Sequence, residues 1–99
     1  MPRFLIEVPH SEDALGCLQA VGHLLTTGSH FLTNADWGCG DGVHKAWVIV
    51  DLDSREEARS LLPPQYRTKA QIIRLEKFRV DEIEEMLKQH QEHLSPTGS

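Results

Sequence analysis

Apolar and polar residues alternate from Phe4 to Val8, with Phe4, Ile6 and Val8 on one face and Leu5 and Glu7 on the other. That period of two predicts a strand. Pro9-His10 ends it, and Ser11 reads as an N-cap with Glu12 and Asp13 in the first turn of a helix. Ala14, Leu15, Leu18, Val21 and Leu25 recur at helical spacing and predict its inner stripe, stopped by Gly28. A second strand is predicted over His30 to Asp36. Trp37-Gly38-Cys39-Gly40-Asp41-Gly42 then reads as a loop, because closely spaced glycines permit unusual backbone angles. Ala46 to Val50 is apolar on both faces, which predicts a strand covered on both sides. Ser54-Arg55-Glu56-Glu57 is a capping box opening a short helix whose buried side is Ala58, Leu61 and Leu62, and Pro63-Pro64 closes it. Gln71 to Phe78 predicts a last strand, with Ile73 and Leu75 opposing Ile72, Arg74 and Glu76. Asp81-x-x-Glu84 opens a third helix with Ile83, Met86 and Leu87 inward.

The predicted order is β-α-β-β-α-β plus a C-terminal helix. That is the split βαβ pattern of an α+β, ferredoxin-like fold with a four-stranded antiparallel sheet. Residues 1–90 are expected to form a single domain and 91–99 a flexible C-terminal tail, since the chain turns polar after His90. Two helices cover only one face of such a sheet. The other face carries Leu5, Trp47 and Ile49, and a bare apolar face is unusual on a soluble monomer. A second copy of the chain is its simplest cover, so a homodimer is expected.

The element order, the opening Arg3-Phe4-Leu5-Ile6-Glu7 and the closing Ala70-Gln71-Ile72-Ile73-Arg74-Leu75-Glu76-Lys77-Phe78 resemble the dimeric α/β-barrel superfamily over residues 3–80. That group includes muconolactone-isomerase-like proteins, YciI-like proteins and antibiotic-synthesis monooxygenases. The resemblance implies a dimeric α/β barrel in which two sheets face each other and small apolar ligands bind in clefts. YciI-like proteins are thought to use a His–Asp pair. His23 and Asp36 stand at comparable places, but no catalytic residue is carried over to this chain.

Composition narrows the function classes. Ninety-nine residues carry a net charge of -5, which argues against a general nucleic-acid binder, and no apolar run approaches a membrane span. The N-terminal apolar run is short and interrupted by Glu7, so it does not read as a signal peptide. Two cysteines without CxxC spacing fit no secreted disulfide framework, and a cytoplasmic location is expected.

Six histidines are many for an acidic chain of this size. One reading is acid–base chemistry on a small organic molecule, as in an isomerase or lyase, with no cofactor. His30, His44 and Asp36 would transfer protons and Glu7 would supply a second carboxylate. Glu7 has a competing reading, an ion pair with Lys45 or Arg74. Trp37, Cys39, Trp47 and Arg67 would shape and bind the ligand. A second reading is a transition-metal site for zinc, nickel or copper, built from the N, O and S donors of His30, Asp36, Cys39 and His44. His90 and His93 share a helical spacing near the tail. A third reading is a non-catalytic interaction module. Whether His10 and His44 meet depends on strand direction.

Overall fold

The structure, a computed structural model, describes residues 1–94; positions 95–99 of the expected tail lie outside the described residues. Four strands are present: β1 (Arg3–Pro9), β2 (Asp36–Trp37), β3 (Lys45–Asp51) and β4 (Gln71–Leu75). Four α-helices accompany them: α1 (Ala14–Thr27), α2 (Arg55–Ser60), α3 (Pro64–Arg67) and α4 (Val80–Leu94). All strand pairs are antiparallel and the order is β2-β3-β1-β4, consistent with a ferredoxin-like α+β fold. Among the described residues, no helix is long and apolar enough to cross a membrane.

The alternation along β1 puts Phe4, Ile6 and Val8 into the core. They pack with Ala46, Val48 and Val50 of β3, with Ile72 of β4, and with Leu24, Leu32, Ala58 and Leu62. Burying a large aliphatic side chain contributes roughly 1.5–3 kcal/mol. Leu5, Trp47, Ile49, Ile73 and Leu75 therefore fall on the opposite face, where Ile49 is 58% exposed and Ile73 41%. No element of the described chain covers that face. β3 is thus apolar on both faces but buried on one.

Three expectations are corrected here: the second strand, and the inner stripe and N-cap of α1. The second strand shrinks to Asp36–Trp37, and a 3-10 helix occupies His30–Asn34. Its reason is local: the Ser29 hydroxyl accepts from the Phe31 N–H, and the Thr33 hydroxyl donates to the His30 carbonyl. Only Leu32 of this segment needs burial, and one turn of helix supplies it. The inner stripe of α1 is also different. Leu15 and Leu18 are exposed, at 64% and 70%, and the buried face is Cys17, Ala20 and Leu24. Of these, Leu24 packs into the core beneath the sheet. The N-cap is Asp13, whose carboxylate accepts from the Gly16 N–H, and Ser11 in turn accepts from the Asp13 N–H.

The α2 cap follows the pattern read from the chain, whereas β4 stops at Leu75 rather than Phe78 and a short helix, α3, forms where a turn was expected. Ser54 caps α2 through the Glu57 N–H, while Glu57 reaches back to the Asp53 N–H. Pro64 opens the short α3 as well as ending α2, because a proline at the first helical position loses no hydrogen bond. Among the described residues, α4 makes no extensive contact with another element, and the molecule is elongated, 61 × 29 × 22 Å. The inner stripe expected for this helix is therefore corrected: Met86 and Leu87 are more than half exposed.

Candidate metal centre

Because β1 and β3 run antiparallel with Pro9 opposite Lys45, the residue after β1 meets the residue before β3. The His10 N–H donates to the His44 carbonyl at 3.1 Å, and the two imidazoles stand edge to face with centroids 5.6 Å apart. Strand direction therefore brings these histidines to the same end of the sheet. The inward face of α1 adds Cys17 from one side. A 3-10 turn, Cys39–Asp41, adds Cys39 from the other.

The glycines around Cys39 have separate tasks. Gly42 closes the turn with φ +79°, a left-handed conformation that side chains rarely adopt. Gly38 lies so close to its neighbours that a Cβ there would stand 2.6 Å from the Val43 carbonyl and 2.9 Å from the Trp47 ring. The loop is thereby pinned against β3 with Cys39 turned toward His10.

One ligand atom from each of His10, Cys17, Cys39 and His44 lies within 4.8 Å of all the others. His10 Nε2 is 3.3 Å from Cys17 Sγ and 3.1 Å from Cys39 Sγ. In a tetrahedral zinc site with ordinary Zn–S and Zn–N bonds, neighbouring ligand atoms stand about 3.3–3.8 Å apart. The cluster is close to that size. One imidazole nitrogen has a single lone pair or a single proton, so it cannot bond fully to two thiols at once. The four donor atoms are placed so that they could hold one metal ion. His10 Nδ1 and His44 Nδ1 are buried and have no hydrogen-bond partner.

Burial, and then the adjacent His44, push the His10 imidazole below its ordinary pKa, with the Val8 backbone opposing in part. The Cys39 thiol beside it, and then burial, push the Cys17 thiol up. His10 thus keeps its lone pair available near neutral pH, and a bound cation would have to displace the Cys17 proton. A groove of about 520 Å³ lined by His10, Ser11, Gly16, Tyr66 and Lys69 borders the cluster at His10.

The other residues singled out from the sequence lie elsewhere. His30 is exposed and stacks on Phe31, with centroids 4.6 Å apart. Asp36 is exposed on β2, opposite Trp47. Neither belongs to the cluster. Glu7 accepts from Trp47 Nε1 at 2.9 Å and pairs with Lys45 at 3.6 Å, so its ion-pair reading is the one the structure shows. Arg67 donates to the Leu62 and Ser60 carbonyls and so closes the end of α2. Trp37 packs against the core and meets the His10 ring edge-on at 5.8 Å. His23 contacts Gln65, and His90 is exposed on α4. The His93 side chain lies outside the described residues.

Of the metal-ligand set read from the sequence, the structure brings Cys39 and His44 together and adds His10 and Cys17. Of the two added residues, His10 had a signal. His10 follows β1 and His44 precedes β3, and in the split βαβ order these strands are antiparallel neighbours. No known family, characterised protein or solved structure matches the chain.

Proposed function

We propose that this chain is a transition-metal-binding protein, with a Cys2His2 site for a zinc-class divalent ion made by His10, Cys17, Cys39 and His44. The carrying observation is the convergence of all four ligand atoms within 4.8 Å. Two sulfur and two nitrogen donors in a tetrahedral set suit zinc. Four protein ligands leave no open coordination position, so the ion serves structure rather than acid–base chemistry. The ligands come from the end of β1, from α1, from the 3-10 turn and from the residue before β3. An ion here ties together one end of a domain with a modest core.

Titration with Co²⁺, a spectroscopic stand-in for zinc, tests the reading. The wild type is expected to develop thiolate charge-transfer and tetrahedral ligand-field bands that zinc abolishes. Cys17→Ser and His44→Ala each should weaken binding by at least about tenfold, the scale of losses seen even for residues that merely support a ligand. Equal affinity in both variants and wild type would remove the site.

We also propose that the open sheet face is covered by a second copy. Leu5, Ile49 and Ile73 form its apolar centre. An Arg3–Asp51 pair lies at one end and a Glu7–Lys45 pair at the other. A surface carrying both signs around an apolar centre is self-complementary, as a two-fold interface requires.

A further inference from the structure

Cys17 and Cys39 are both free thiols, and their sulfurs lie within 4.8 Å of each other. The two differ in access: Cys17 is 7% exposed and held in α1, while Cys39 is half-buried in a glycine-flanked turn. Gly40, next to Cys39, has no neighbour within 4 Å of where a Cβ would stand, so the turn has room to move there. A disulfide needs its sulfurs at about 2.05 Å. Closing that gap falls to rotation of the Cys39 side chain and a shift at the open Gly40 position, while Gly38 stays held against β3 and Cys17 stays in α1.

We propose that the metal centre is redox-regulated: Cys39 is the entry thiol and Cys17 the resolving thiol of a dithiol–disulfide pair whose oxidation empties the site. The proposal rests on the metal-binding reading for its consequence, and on the two thiols for its chemistry. The oxidant is a low-molecular-weight disulfide, RSSR. In the loaded centre both protein sulfurs are thiolates. Cys39 attacks one sulfur of RSSR, breaking its S–S bond, forming a mixed disulfide and expelling RS⁻. Cys17 then attacks the Cys39 sulfur, forms the internal S–S bond and expels the second RS⁻. Two electrons pass from the protein sulfurs to RSSR, and no proton is consumed. His10 and His44 alone then hold a divalent ion too weakly to retain it. In the metal-free chain the same exchange delivers the two thiol protons to the leaving groups.

Loading the full chain with zinc and then adding oxidised glutathione tests this. Uptake of zinc is measured first, release is followed with a chromogenic chelator, and the protein is mapped by mass spectrometry after blocking free thiols. The expected result is loss of the bound zinc in step with a Cys17–Cys39 crosslink and a mass lower by two hydrogens. Cys17→Ser should accumulate a stable glutathione adduct on Cys39. Cys39→Ser should react at Cys17 at least about tenfold more slowly, and circular dichroism checks that both variants fold. Zinc release without the crosslink, or equal reactivity of the two thiols, overturns the redox proposal and leaves the metal reading standing. Failure to take up zinc at the first step overturns both.

Discussion

The His10 ring touches both sulfurs and the edge of Trp37, and its remaining nitrogen has no hydrogen-bond partner. Its depressed pKa has a consequence for metal-free protein. Between the folded value and the ordinary value near about 6.5, the unfolded chain binds a proton at this position that the folded chain does not. Stability therefore falls as pH drops through that window, and is regained as pH rises above it. The thermal midpoint of metal-free wild type is expected to decline between about pH 7.5 and 5.5, and His10→Gln should flatten the slope; an unchanged slope in the variant would assign it to other groups. Half of the centre was legible at this scale. Cys39 and His44 stand beside a glycine loop and a strong strand, where ligand chemistry is easy to suspect. His10 was recognised as a strand end, but its partner depended on strand direction. Cys17 was hidden by the leucines around it.

Those leucines belong to the next scale. Helix α1 carries two apolar stripes, and hydrophobic periodicity alone favours the bulkier one, Leu15, Leu18 and Leu25. The structure buries the other one, Cys17, Ala20 and Leu24, and Leu24 joins the core beneath the sheet. That rotation delivers Cys17 to the proposed metal site. It also makes a prediction about stability. Leu24→Ala, at 2% exposure, should cost about 2–5 kcal/mol, while Leu18→Ala, at 70%, should stay within about 0.5 kcal/mol. Denaturant titrations of the two variants decide it, and comparable losses would mean that the stripe assignment is wrong. The strands β1, β3 and β4 and the α2 cap were readable because alternation and capping are local signals. The segment after α1 was not, because His30–Asn34 has a weak pattern and its 3-10 turn depends on the Ser29 and Thr33 hydroxyls.

Across the whole molecule, the element order and the antiparallel sheet follow from the sequence pattern, and so does the apolar face left without a cover. What pattern reading could not supply is which residues from distant segments meet, since that depends on register. The proposed self-association makes its own prediction. Ile49→Glu places a charge at the centre of the open face, and light scattering should show a dimer for wild type and a monomer for the variant; a monomeric wild type removes the proposal. At this scale an ion would join four separate segments, so its binding adds directly to folding stability. The central claim is most directly tested by native mass spectrometry of untagged protein, purified under reducing conditions and supplied with zinc. One zinc ion per chain, lost in Cys17→Ser and His44→Ala and accompanied by a higher thermal midpoint, is the predicted result. A chain that remains metal-free under these conditions, with its midpoint unmoved, would contradict it.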